Sequence, residues 1–334
     1  MTPRRAGGAV ERAAEVAAEG ARQVAATRHA RACFLRACEL DVAVRKPGNV
    51  SRASAGHGMH ADLFVASAQA AAAPLFEAGL GLGLGARIEA AVDATWAVAG
   101  CNTNLGILLL CAPIAMAVER AARGRGAPTL RAAIGAVLAE SSVADAAAAY
   151  RAIARARPGG LGSAPAQDVH ATPSVDLRSA MTLAADRDSI ARQYRDAYAE
   201  LFDTGLPALG PGFSLGDSLG DDPSADTVAA VQRLYLTLLA RMPDSHIVRI
   251  HGEPVAHIVM SAAQGFLSRP SGAAPLDNDP AFHAWDSALK AHRINPGTTA
   301  DLTVATLLIA GVVAGLTASP RAVSAPVGSR WHGT

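Results

Sequence analysis

Apolar residues recur along this chain with the period of an α-helix, and short polar turns separate the runs. Phe34, Cys38 and Val42 fall at i, i+4 and i+8, the spacing of one packed helical face, and predict a helix over 11–44. The same pattern predicts helices over 63–76, 87–99 and 107–121, two short alanine-rich helices over 129–156, and further helices over 175–202, 227–242 and 302–316. The runs 105–118 and 302–316 are apolar but short for a membrane crossing, and Pro113 interrupts the first, so both are expected to be buried helices. The expectation is an all-α fold: a single compact multi-helix domain over 29–318 with functional loops at helix N-termini. A frayed or partly disordered helical extension over 1–28 and a flexible tail over 319–334 complete the reading.

The breaks in the pattern carry the polar chemistry. Lys46-Pro-Gly-Asn-Val50 ends the first helix, because Pro47 biases the residue before it toward an extended backbone, and a loop with Arg52, His57, His60 and Asp62 follows. Asn102-Thr-Asn104 and Asn295-Pro-Gly-Thr298 are polar turns that each open an apolar helix. One cap residue suffices to start a helix; three polar residues in Asn102-Thr-Asn104 exceed that need. Arg157 to Pro165 and the stretch 205–226 are Gly/Pro-rich breaks. The glycines of Gly79 to Gly85 have a spacing reminiscent of a dinucleotide loop, but no β-branched strand precedes them, so they are assigned to a connector. Asp188 and Arg192, four apart on an expected helix, fit a solvated ion pair. Glu39 and Asp41 sit at a helix C-terminus, where the helix dipole disfavours acids, and so call for a compensating cation, Arg36, Arg45 or a metal.

Composition narrows the functions. Half of the 334 residues are hydrophobic, only 4% are aromatic and the net charge is +1, which argues against a nucleic-acid partner or an anionic membrane. Cys33, Cys38, Cys101 and Cys111 form no CxxC pair and read as buried reduced thiols. The first 31 residues hold Glu11, Glu15 and Glu19 and lack a continuous apolar core, which excludes a secretory signal and points to the cytoplasm.

Helix N-termini present free N–H groups and partial positive charge without a basic composition. If the three polar turns converge, they form a polyphosphate pocket to which Lys46, Arg52 and Arg249 add full charges. Asp62, Asp244 and Asp301 are then candidates for holding Mg²⁺ or taking a proton. His246, Arg249, Glu253 and His257 have helical spacing interrupted by Gly252 and Pro254, which does not match a closed zinc site.

Glu39, Lys46-Pro-Gly, Val50, Gly58-x-His60-x-Asp62, Asn102-Thr103 with Gly106, and Asn295-Pro-Gly-x-x-Ala-Asp301 occur in that order over almost the whole chain. The ordered set resembles the triphosphoribosyl-dephospho-CoA synthase family. The resemblance implies an all-α enzyme in which the 2′-hydroxyl of dephospho-CoA attacks the ribose C1 of ATP, adenine leaves, and the triphosphate stays on the transferred sugar. It implies ATP as substrate with Mg²⁺. Lys46, Gly48, Asn49, Arg52, Asn102, Thr103, Asn104, Arg249, Asn295 and Gly297 are then expected to bind the nucleotide. His60 or His246 is expected as the acid, Asp62 or Asp301 as base or metal ligand, and Asp244 as a further metal ligand. One departure stands out: members of the citrate and malonate systems carry Asn-Thr-His-Lys-Gly where this chain has Asn102-Thr-Asn-Leu-Gly106. That form, with 183–188 and Gln193-Tyr194, resembles a branch from methanogens and one-carbon-oxidising bacteria, and so leaves a pterin-type, tetrahydromethanopterin-like precursor open as the acceptor. A non-catalytic nucleotide-binding helical protein is the alternative of a different class.

Overall fold

Among the described residues, half of the helices start at a residue whose side chain satisfies orphan N–H groups of the first turn. In the computed structural model, which describes residues 4–77, 81–122, 128–216, 219–269 and 275–318, the helices are α1 (Arg4–Ala43), α2 (Ala61–Phe76), α3 (Leu84–Ala99), α4 (Leu105–Ala121), α5 (Leu130–Ala139), α6 (Val143–Ala156), α7 (Leu177–Thr182), α8 (Ser189–Arg195), α9 (Leu206–Leu209), α10 (Ala225–Leu239), α11 (Ser245–His251), α12 (Glu253–Leu267), α13 (Pro280–Ala291) and α14 (Gly297–Ala318). No strand occurs among the described residues, and the all-α expectation holds. Thr129, Asp176, Asp188, Ser224, Asp244 and Asp279 each accept a first-turn N–H. Ser142 and Asp145 form a reciprocal capping box at α6. The tail 319–334 and the first residues of the glycine connector, Gly79 and Leu80, lie outside the described residues.

One expectation is corrected. The single helix over 175–202 is divided into α7, α8 and a π-turn at Leu201–Gly205. Asp188 begins α8 by capping Ile190 and Ala191, and Ala197 and Tyr198 take positive φ after it, so the apolar period there belongs to separate pieces. Pro113 does not break α4. Its missing N–H frees the carbonyl of Leu109, and the buried Tyr194 hydroxyl donates to that carbonyl at 2.7 Å, while Tyr198 donates to the neighbouring Leu110 carbonyl at 2.8 Å. Helix α13, which the periodicity did not single out, starts at Pro280 behind the Asp279 cap.

Helix α14 is the centre of the larger core. It is long and apolar enough to cross a membrane by length and composition, yet most of its apolar window is buried against the protein itself, where α1, α4 and α10 pack around it. A smaller core of Tyr235, Leu239, Ile247, Val259, Phe282 and Leu289 joins α10 to α13. The turn after α1 is tied to this second core. Asp286, fully buried on α13, accepts the Gly48 N–H at 2.9 Å and pairs with Arg45 and Lys290, and the Tyr235 hydroxyl donates to the Pro47 carbonyl at 2.8 Å. Gly48 needs its missing side chain twice: its φ is +84°, and a Cβ would lie 2.7 Å from Pro296 Cδ and 2.8 Å from the Ile294 carbonyl. The first and third polar turns are thereby pressed together.

Candidate functional site

That contact places Asn49 beside Asn295, whose side chains share a short hydrogen bond. Asn49 also opens onto a cleft of about 740 Å³, within the range of small-molecule sites. Polar side chains enter it from the end of α1 (Asp41), from the second turn (Asn102, Thr103, Asn104), from the cap of α8 (Asp188), from α11 (His246, Arg249) and from the start of α14 (Asn295, Asp301). Apolar side chains come from α2 (Phe64), α3 (Trp96), α6 (Ile153) and α7 (Leu177, Met181), and the 157–169 segment lines the cleft as well. Starts of α4 and α14, far apart in sequence, therefore share one cavity, as the pocket expectation required.

The second turn divides its labour. Asn102 Oδ1 accepts the Leu105 N–H at 3.1 Å and is the functional cap of α4; the Thr103 hydroxyl donates to Ser67 Oγ at 2.8 Å and ties the turn to α2. Asn104 is left over. It is buried, and its Nδ2 has no hydrogen-bond partner, a donor held in the cleft wall at a desolvation cost of about 1–3 kcal/mol unless a ligand accepts from it. The Oδ1 of Asn49 and the Nε of Arg249 are unpartnered in the same way.

Asp301 is the only one of the four cleft-lining aspartates whose carboxylate has no hydrogen bond or ion pair among the described residues; Asp168 accepts the Ala164 and His170 N–H groups. Asp188 caps α8 and pairs with Arg249 Nη1 at 2.7 Å, and Asp41 pairs with Lys46 Nζ at 3.0 Å. The Asp301 carboxylate lies against Gly106 in the first turn of α4: a Cβ on Gly106 would sit 2.0 Å from Asp301 Oδ2. Burial pushes the Asp301 carboxyl well above the usual carboxylate range, and the nearby charges of Asp41, Asp244 and Asp188 push the same way against Arg249. His246 packs on Gly297; burial lowers its pKa more than the Asp244 charge raises it, so its imidazole is neutral at pH 7. Gly106→Ala is expected to displace Asp301, lower the melting temperature by several degrees and reduce any turnover at least tenfold. A thermal melt alongside an activity assay reads both, and a wild-type profile in both would show that the close approach is dispensable.

Several expected site residues lie elsewhere. Lys46 has no accessible surface; its ammonium is consumed by the Asp41 carboxylate and main-chain carbonyl. Gly48 is a structural joint. Arg52 is exposed and reaches only toward Asp222 at 3.8 Å, and His60 and Asp62 are exposed at the start of α2, outside the cleft lining. Asp244 is buried but fully engaged: it accepts the His246 and Ile247 N–H groups through one oxygen and the Thr299 N–H and hydroxyl through the other, joining α11 to α14. The cation expected beside Glu39 and Asp41 is two cations: Arg36 pairs with Glu39 at 3.2 Å and Lys46 with Asp41, while Arg45 turns to Asp286. Arg192 pairs with Glu200 rather than Asp188. All four cysteines are free; Cys101 is only half-buried and lines the cleft. Among the described residues, no three His, Cys, Asp or Glu side chains group as a metal site. Asp41, Asp188, Arg157 and Arg187 also line the cleft; only the residual strain of acids at a helix end hinted at Asp41, the helical spacing assigned Asp188 to a solvated pair, and nothing in the periodicity marked the two arginines.

Comparison with known proteins agrees with this architecture. Residues 27–319 match the family model described as ATP:dephospho-CoA triphosphoribosyl transferase. The crystal structure of a protein described as a triphosphoribosyl-dephospho-CoA synthase from Archaeoglobus fulgidus superimposes with a TM-score of 0.56 at 20% identity, covering 75% of this chain and 98% of that one. No curated protein sequence matches.

Proposed function

Because the chain belongs to the ATP:dephospho-CoA triphosphoribosyl transferase family, we propose that the cleft between the starts of α4 and α14 is where its transfer reaction takes place, with Asp301 as the general base. The family moves the triphosphoribosyl group of ATP to dephospho-CoA, and the family match favours this acceptor over a pterin-type precursor and favours an enzyme over a non-catalytic binder. In the proposed step the acceptor hydroxyl oxygen forms a bond to ribose C1 as the C1–N9 bond to adenine breaks. The hydroxyl proton passes to Asp301, and the electron pair of the broken bond leaves on adenine. The observation that carries this reading is the free carboxylate of Asp301 inside a cleft whose other aspartates are engaged.

The surrounding groups suit an oxocarbenium-like transition state. The α4 and α14 N-termini and Arg249 direct positive potential at the triphosphate. Asn49, Asn104 and Asn295 offer uncharged hydrogen-bonding groups for the ribose. Neutral His246 donates an N–H toward the departing base, which becomes a better leaving group as charge develops on its ring nitrogens. The residues from Asp41 to Asp301 needed for this act as one catalytic unit. The protein side chains do not fit a cage for Mg²⁺: Asp244 has both oxygens engaged, Asp62 is outside the cleft, and among the described residues no three ligands group. Mg²⁺ is therefore assigned to the phosphates of ATP, where it needs few protein ligands, and no step is derived through it.

Incubation of the protein with ATP, Mg²⁺ and dephospho-CoA is expected to release adenine in equal amount with an acceptor heavier by one triphosphoribosyl group, read by chromatography and mass spectrometry. Absence of free adenine with this acceptor would overturn the reading.

A further inference from the structure

The cleft needs to neutralise more than a triphosphate, since dephospho-CoA brings a diphosphate of its own, and the expected cations Lys46 and Arg52 do not line it. Three other cations do: Arg157, Arg187 and Arg249. Arg249 is already paired with Asp188 and belongs with His246 at the Asp301 end. Arg157 is exposed and has no ion pair among the described residues, and the Arg187 guanidinium gives one hydrogen bond among them, to the Leu183 carbonyl at 3.2 Å. Both guanidinium groups keep donors for a ligand.

Their roots are held together. Arg157 ends α6 in the left-handed region, φ +48°, a position where glycine costs less. The segment after it crosses to α11: a Cβ on Gly160 would lie 2.7 Å from the Arg249 carbonyl. The Tyr150 hydroxyl donates to the Gln167 carbonyl at 2.8 Å, and Asp168 accepts the Ala164 and His170 N–H groups. Asp188, next to Arg187, holds the side chain of the same Arg249. Thus Arg249 fixes the surroundings of both free arginines. The apolar wall that accompanies Arg157, with Trp96, Ile153, Leu161 and Leu177, suits the purine and the pantetheine arm rather than the reacting ribose.

We infer that Arg157, with Arg187, forms the subsite for the diphosphate of the acceptor, flanking Arg249, which with the α4 and α14 N-termini takes the triphosphate. This rests on the proposed transfer from ATP to dephospho-CoA. A guanidinium makes paired, charge-assisted hydrogen bonds to phosphate oxygens that an ammonium reproduces only in part.

Arg157→Ala is expected to lower kcat/KM for dephospho-CoA about tenfold or more, the loss of one such hydrogen bond, while the KM for ATP moves less than about twofold on the same scale. Arg187→Ala should act in the same direction, and Arg157→Lys should recover part of the loss. Both substrates are varied separately by adenine release, with melting temperature confirming the fold. A rise in the KM for ATP instead, or no change for either substrate in both alanine variants, would overturn the subsite. Absence of turnover in the wild-type protein would instead strike at the proposed reaction itself.

Discussion

Asp301→Asn is expected to slow adenine release by roughly 10²–10⁴-fold, the range for loss of a positioned general base, while leaving ATP binding within a few-fold of wild type. The asparagine keeps the volume that Gly106 accommodates but cannot accept the hydroxyl proton. The same substitution has an opposite effect on stability, and the sign follows from linkage. Burial and the neighbouring acids raise the Asp301 carboxyl in the folded state, so the folded protein holds this proton more tightly than the unfolded chain does. Ionised Asp301 therefore destabilises the fold at any pH above its raised folded pKa. The penalty shrinks as pH falls through that pKa and is gone below the ordinary carboxylate range. Asp301→Asn should accordingly melt higher than wild type at neutral pH, and the difference should close in acid. In the wild type the acidic limb of kcat should lie above the range of an exposed carboxylate, and it should vanish from the residual activity of the variant. A variant with near wild-type turnover, or one that melts lower at neutral pH, would remove Asp301 from this role.

Helical periodicity made the scaffold legible because most helices bury one apolar face, and the three polar turns were legible because each interrupts such a face. Two of these turns, Asn102-Thr-Asn104 and Asn295-Pro-Gly-Thr298, do open α4 and α14 into one cleft, while from Lys46-Pro-Gly-Asn49 only Asn49 reaches it. What the pattern could not give is the direction of a side chain within a turn. Lys46 and Asn49 are three residues apart, yet the first points into the protein and the second lines the cavity. Asp244 and Asp301 both read as free acids near helix starts, but four hydrogen bonds consume Asp244 and, among the described residues, none reaches the Asp301 carboxylate. Asp188 looked like half of a solvated pair because 175–202 read as one helix; once Asp188 is a cap, its other oxygen is free to hold Arg249. Arg157 stands in a break without period, and Arg187 was absorbed into the single helix read over 175–202, so sequence spacing did not show what either of them faces.

Lys46→Met is expected to destabilise the protein by about 3–5 kcal/mol, the cost of stranding one member of a buried ion pair. Lys46 is fully buried, Asp41 is nearly so, and the 3.0 Å pair is backed by a hydrogen bond from the ammonium to the Asp41 carbonyl. The substitution keeps much of the side-chain volume and removes the charge, which leaves Asp41 ionised in the cleft wall with no counter-ion. Its carboxylate would also add uncompensated negative charge to a cavity that must accept ATP, so the single variant is expected to bind ATP more weakly even where it remains folded. Pairing Lys46→Met with Asp41→Asn removes both charges, and the double variant should recover most of the stability, since a neutral pair of similar shape often costs little relative to the ion pair. Urea unfolding of the wild type, both single variants and the double variant gives the coupling directly. Calorimetric titration of ATP into the double variant then separates two roles for Lys46. A lysine held for Asp41 predicts ATP affinity restored to within a few-fold of wild type, whereas a lysine that touches the phosphates predicts affinity lost in the double variant as fully as in the single one. The second result, or a single variant within about 1 kcal/mol of wild type, would return Lys46 to the nucleotide.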